Sequence, residues 1–382
     1  MAAVHLARPL FTLPRAFIAA LIFVPLLSGC LDSDSNNNND GPSTGTINAL
    51  GVSGLSYQTA SQYNKTDTKG QFLYYPGETL RLKVGNLLLA EDVPAQEWVT
   101  LLEFLPEVRS QLTTPAVDAE GLSTHKITEQ QLITNVSLTN LTRFLMSLNW
   151  SENLREGKGI DIRDRVIQQL NAALPDLSSP IDFRVSEAEF NATGASPSPA
   201  NQLLTSICFY PPDDELCKAP PTDEEIDMAP ERPEDEALWD PNVEYKEDLR
   251  NKKQRILDSV RSMEDVDAED ARLYLTRELD SISTTIGNRY YLENHVAKHS
   301  ASDTGIKRFE IRRIGGSAEL ADIEAITTRP QDVGVHSFSW QTADVEYFVD
   351  GPAGGESELV TSFLPESTYR WVRKALRVVI TP

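Results

Sequence analysis

Apolar and polar residues alternate along two stretches of this chain, and apolar residues recur at helical spacing between them. Phe72/Tyr74 and Leu80/Leu82/Val84 repeat every second residue, the period of strands with one buried face. Asp67, Gly70 and Pro76-Gly77 stand where the chain must turn. Residues 94–108 predict a helix with Leu101, Leu102 and Leu105 on its apolar face. Leu138, Leu141, Leu145 and Leu148 predict another, and residues 163–174 a third that Pro175 stops. Residues 191–201, with Gly194, Pro197 and Pro199, read as a loop. Residues 242–298 predict a helix pair. Leu249, Ile256, Val260 and Met263 line the first helix; Leu275, Leu279, Ile282 and Ile286 line the second. The break falls at Asp265-Val266-Asp267, whose aspartates suit an N-cap. Beyond residue 306 the period returns to two. Strands are predicted at 307–314, 322–327, 334–340, 344–349 and 359–363, with turns at Gly315-Gly316 and at residues 351–355.

With 382 residues, 40% of them hydrophobic, the chain can build real cores and has room for two or three domains. Its net charge of −22 repels phosphate backbones, so nucleic-acid binding is excluded as its main role. The acid is concentrated. Residues 213–248 hold fifteen acidic side chains against Lys218, Arg232 and Lys246, punctuated by prolines 220, 221, 230, 233 and 241, and read as a solvated linker.

The N-terminus carries Arg8 and Arg15, then an apolar run at 16–27 too short for a stable bilayer span. It ends in Leu27-Ser28-Gly29-Cys30, which resembles the lipobox of bacterial lipoproteins. The resemblance implies a signal peptide at 1–29, cleavage before Cys30, and acylation of the Cys30 thiol and its new amino group (palmitate among the chains). Three acyl chains make an effectively permanent anchor. Leu31, rather than an acid, follows the cysteine, which in the enteric rule favours the outer membrane; Asp32 stands one place later. Residues 30–46 then form a tether rich in Asp, Ser and Asn, able to hold the body roughly 20–50 Å from the bilayer. Covalent lipid on Cys30 is the only expected cofactor. The other cysteines, Cys208 and Cys217, are an even pair suited to an oxidising compartment and predict a structural disulfide.

Two further stretches resemble known modules. Gly54-Leu55-Ser56-Tyr57, Thr66-Asp67-Thr68-Lys69-Gly70-Gln71-Phe72 and Pro76-Gly77-Glu78 resemble the small prealbumin-like or carboxypeptidase-regulatory-like β-sandwich, in a form found in marine and pseudomonad lipoproteins and adhesin-like proteins. Asn140-Leu141-Thr142-Arg143-Phe144-Leu145 and Gly159-Ile160-Asp161-Ile162 extend that likeness, although Asn149, Ser151 and Glu152 stand where the paired acids that could hold Ca²⁺ would be, too few carboxylates for a calcium site. The chain thus reads as an α+β multidomain protein: a β-sandwich-like module at 47–90, a mainly helical region at 91–210, an acidic Pro-rich linker at 211–241, and a domain at 242–382 made of a helix pair and an antiparallel sheet.

Candidate chemistry is sparse. Glu293-x-His295-x3-His299 would place two imidazoles one turn apart if helical, a spacing that suits Zn²⁺, but no third ligand and no H-E-x-x-H order accompany them. Asp332, His336 and Ser337 or Ser339 have triad residue types without an oxyanion hole. No G-x-S-x-G elbow or P-loop occurs. The C-terminus is locally basic and aromatic. Arg370, Trp371, Arg373, Lys374 and Arg377 form either a contact surface for lipid phosphate or a partner, or a terminal strand whose arginines meet the protein's own acids. The reading that follows is a non-catalytic outer-membrane lipoprotein, a binding or accessory component of an envelope process such as hydrophobic-substrate uptake or solvent tolerance. Its partners would be the membrane, an envelope protein and a hydrophobic small molecule. A surface adhesin and an envelope hydrolase are the alternatives.

Overall fold

Strand Thr79–Val84 buries Leu80, Leu82 and Val84 and exposes Thr79 and Arg81. It turns through Gly85 into the antiparallel strand Leu87–Pro94, and Ser56–Gln58 and Tyr63–Lys65 complete a four-stranded sheet. A second sheet pairs Ser43–Ile47 with Gln71–Tyr74 and Trp98–Val99. The first strand therefore begins at Ser43, inside the stretch expected to be tether. The computed structural model describes residues 41–151 and 157–382. Cys30 and the signal peptide lie outside the described residues.

The Thr66-Asp67-x-x-Gly70 motif builds a turn. Asp67 Oδ1 accepts the amides of Lys69 and Gln71 at 2.9 and 2.8 Å, and Thr66 Oγ1 donates to the Val52 carbonyl at 2.7 Å. Gly70 has φ +72°, and a Cβ there would lie 2.5 Å from the Val52 nitrogen.

In the middle, helix Val136–Ser147 starts at Asn135, whose Oδ1 accepts the Leu138 amide at 3.1 Å. It is buried on nearly every side. Arg143 is among the buried residues because its guanidinium donates to the carbonyls of Val266 (2.5 Å) and Met263 (2.6 Å) and pairs with Glu187 at 3.3 Å. The single helix expected at 94–108 is instead strand Trp98–Val99, a 3₁₀ turn Leu101–Phe104 and helix Pro106–Leu112. Pro106 is the cause: it cannot continue a helix but suits the first position of a new one. In the same way Ser198 caps helix Pro199–Thr205 within the end of the expected loop.

The helix pair comprises Lys246–Asp258 and Ala268–Asn288, the latter capped by Asp267, which accepts the Asp270 amide at 2.7 Å. The long helix belongs to both hydrophobic cores. Ala271, Tyr274, Leu275 and Leu279 pack with residues of the β and helical regions back to Ile47; Ile282 and Ile286 pack into the C-terminal sheets. Those sheets are two four-stranded layers. One orders Tyr290–Leu292, Lys307–Arg313, Asp344–Val349 and Val333–Ser339; the other orders Val296–Ser300, Val372–Thr381, Glu356–Pro365 and Leu320–Thr327. All neighbours are antiparallel except Val296–Ser300, which runs parallel to the C-terminal strand. Helix Ala268–Asn288 stops ten residues before the expected end at 298, and two strands follow it. The architecture is mixed α+β with a C-terminal antiparallel sheet system.

The acidic segment has structure of its own. It forms helix Asp223–Met228, and its acids meet the basic helix that follows: Glu215 with Arg255 (2.5 Å), Asp223 with Lys253 (2.6 Å) and Glu231 with Lys246 (3.0 Å). Each exposed pair contributes little alone. Cys208 and Cys217 form a disulfide, with Cα atoms 5.5 Å apart, at the start of this segment. Replacing both by Ala should lower the urea unfolding free energy by about 2–3 kcal/mol in the loop-entropy picture. Limited proteolysis should then cut first between 211 and 241. An unchanged denaturation midpoint would show that the bond contributes nothing to folding. No helix among the described residues is long and apolar enough to cross a membrane.

Candidate functional site

The segment Tyr369-Arg370-Trp371 leads into the last strand. Within that strand Val372, Leu376, Val378 and Ile380 face inward and Arg373 and Arg377 outward. Continued backward, that parity aims Arg370 into the protein, where it is 1% exposed. Arg370 is therefore not part of an open contact surface, a correction that strand alternation explains; Trp371, ahead of the strand, is also buried at 8% exposure, against that alternation. The outward arginines meet the protein's own acids: Arg373 pairs with Asp118 and, at 3.0 Å, with Glu120, and Arg377 pairs with Glu356 at 2.5 Å. Lys374 shares the inward parity, is half-buried, and has its pKa lowered by that burial.

Around Arg370 lies a cluster of buried ionisable groups from three separate stretches of chain: Glu103, His125 with Glu129, and Tyr369-Arg370. Glu129 Oε1 sits 3.2 Å from Arg370 Nε, an alignment too poor for a hydrogen bond, and accepts the Tyr369 hydroxyl proton at 2.7 Å. Arg370 also donates to the Tyr369 hydroxyl oxygen at 2.7 Å and stacks on its ring, 4.3 Å from the centroid. Glu103 is held by the Thr100 amide at 2.8 Å, the Thr100 hydroxyl, and Gln96 Nε2 at 3.1 Å. His125 Nδ1 accepts the Trp371 amide at 2.9 Å, so the ring proton belongs on Nε2, 2.9 Å from Ser283 Oγ and 3.8 Å from Glu129.

Burial sets the electrostatics. Desolvation raises the pKa of Glu103 and Glu129, with the Arg370 charge opposing it. Desolvation, then Arg370 and Lys126, push His125 down to about 3, so the imidazole is neutral at pH 7. Burial lowers the Arg370 pKa, but Tyr369, Glu129 and Glu103 outweigh it and the net shift is upward. The cluster is one guanidinium between two carboxyls, closed by a phenol and a neutral imidazole.

A groove of about 550 Å³ opens beside this cluster, between the region around helix Pro106–Leu112 and the C-terminal sheets. Glu103 and the Tyr369 ring form part of its wall, together with Leu112, Leu364, Trp371, Arg109, Asp322 and Glu366. Its size and mixture of apolar and polar walls suit a small ligand. A second groove, of about 530 Å³, lies on the C-terminal sheets and includes His299, Phe309 and Tyr347.

His299 corrects the metal reading. It lies in strand Val296–Ser300, and His295 is in the exposed loop before it, so the two do not share a helix turn. His299 Nε2 instead bonds the Tyr347 hydroxyl at 2.9 Å. Among the described residues no group of three or more His, Cys, Asp or Glu side chains could hold a metal ion. The triad residue types are not assembled either. Asp332 pairs with Arg329 at 2.8 Å, Ser337 donates to Glu346 at 2.7 Å, and Ser339 donates to Gln341 at 3.1 Å.

Sequence reasoning missed Glu103, Glu129 and His125. Glu103 lies in the 3₁₀ turn Leu101–Phe104, while His125 and Glu129 stand one turn apart at the start of helix Lys126–Leu132, and only the strand parity of Arg370 offered a signal. Neither a scan against protein-family models nor a search of curated proteins finds a match to this chain.

Proposed function

We propose that this protein is a non-catalytic, lipid-anchored component of a bacterial outer membrane whose folded body binds a small ligand or partner in the groove beside Tyr369 and Glu103. The observation that carries the anchoring is Leu27-Ser28-Gly29-Cys30, placed a short polar stretch before a strand that opens a folded body. The disulfide in that body accords with an oxidising compartment. The binding reading is supported by the way the shifted ionisable groups are engaged with one another. Both His125 nitrogens have partners, and Glu103 accepts three donors. A general acid or base needs a free position toward a substrate. Recognition asks only for a shaped wall.

Cys30→Ser tests the anchor. The wild-type chain should fractionate with membranes, and mass spectrometry of its amino terminus should find acyl groups on Cys30. The variant should lose both properties. Membrane recovery equal to wild type, or an unacylated wild-type terminus, would overturn the assignment.

A further inference from the structure

Three charged side chains in the groove beside Glu103 have no opposite charge within ion-pair distance among the described residues. Arg109 donates only to backbone carbonyls, those of Glu103 at 2.9 Å and Glu91 at 3.5 Å. Asp322 accepts the Ile323 amide and no cation. Glu366 is exposed at the groove edge and faces no basic partner. Elsewhere the arginines of this chain pair readily: Arg373, Arg377, Arg329 and Arg289 all meet carboxylates. A guanidinium aimed by neutral carbonyls keeps its full charge, and its planar fork fits a carboxylate bidentately. Two carboxylates in the same groove provide the complement for an ammonium. The same groove wall also carries the apolar side chains Leu112, Leu364 and Trp371.

We infer that this groove binds an amino-acid-type zwitterion of dipeptide size, its carboxylate on Arg109, its ammonium on Asp322 and Glu366, and its apolar side chains on Leu112, Leu364 and Trp371. A volume of about 550 Å³ matches such a ligand. An inorganic anion would satisfy Arg109 but leave the acids unmatched, and a simple cation the reverse. The inference rests on the reading of this body as a binding protein and does not depend on the lipid anchor.

The test is calorimetric titration of the mature full-length chain with Leu-Leu, its N-acetyl derivative and its C-terminal amide. Saturable binding of Leu-Leu at one site is expected. Blocking either end should weaken it about tenfold or more, the loss of one charge-assisted contact. In Arg109→Gln the amide should bind as well as the free dipeptide. In Asp322→Asn/Glu366→Gln, two exposed positions where folding is not at risk, the N-acetyl form should bind as well as the free one. No saturable binding, equal binding of blocked and free forms by the wild type, or unchanged discrimination in the acid-free variant would overturn the inference. The acylation of Cys30 would be untouched by any of these results.

Discussion

Arg370→Met is expected to destabilise the protein by about 3–5 kcal/mol, the largest loss from any single change considered for this chain. Methionine keeps the length and apolar stem of arginine but leaves Glu103 and Glu129 buried at 3% and 4% exposure without their cation. The Tyr369 hydroxyl also loses the donor it accepts from. Both carboxyls already have raised pKa values with Arg370 present, so without it each is driven further toward the protonated form. A loss of that size is a large share of the 5–15 kcal/mol typical of folded proteins. Urea unfolding at pH 7 measures it. Adding Glu103→Gln and Glu129→Gln should recover more than half, because the orphaned charges are then gone. A loss below about 1 kcal/mol from the single change would mean that water reaches the cluster and the buried-charge account is wrong.

Acid should weaken the fold through His125. Its pKa lies near 3 in the folded protein against 6.5 in an unfolded chain. A depressed pKa contributes stability that is complete above the unfolded value and is lost as pH falls toward the folded one. The window is therefore 6.5 down to 3. Between pH 6.5 and 4.5 the unfolded chain takes up the proton and the folded one does not, which amounts to about 2 kcal/mol. Glu103 and Glu129 act oppositely: with raised folded pKa values, they favour folding increasingly as pH falls toward their unfolded value. The comparison that isolates the histidine is wild type against His125→Asn, whose amide oxygen can still accept the Trp371 amide. The variant should be less stable at pH 7, since Ser283 loses its partner, but the gap should narrow by about 2 kcal/mol by pH 4.5. Parallel stability curves would show that His125 protonates freely in the folded state. The groups facing it, namely Glu129, Ser283, Arg370, Tyr369 and Lys126, would then need a different electrostatic account.

These two effects share a structural cause. Helix Ala268–Asn288 joins the two cores, and the Arg370 cluster binds the early segments holding Glu103, His125 and Glu129 to the last strand. The groove opens along this junction, so a ligand there would touch both sides of it.

The strands at the C-terminus were readable because half-buried antiparallel strands write their burial as a period of two. Those expected at 307–314, 334–340 and 344–349 match Lys307–Arg313, Val333–Ser339 and Asp344–Val349 to within a residue at each end. The helix with Leu275, Leu279, Ile282 and Ile286 was readable for the same reason at a period of 3.6, and its cap at Asp267 by residue type. The Cys208–Cys217 bond followed from an even cysteine count. The 94–108 helix failed because apolar periodicity outweighed a proline that breaks it, and the His295–His299 pair because a spacing of four means one helix turn only if the chain is helical.

Local patterning alone thus determined most elements, the turn chemistry of Asp67 and Gly70, and the disulfide, because each depends on residues close in the chain. Tertiary structure alone decided which charges meet and which of them are buried. Arg370 meets Glu129 across 241 positions of sequence, and Glu215 meets Arg255 across 40. Whether an arginine faces water or a buried acid is a matter of which segments fold against it, and no short-range pattern records that.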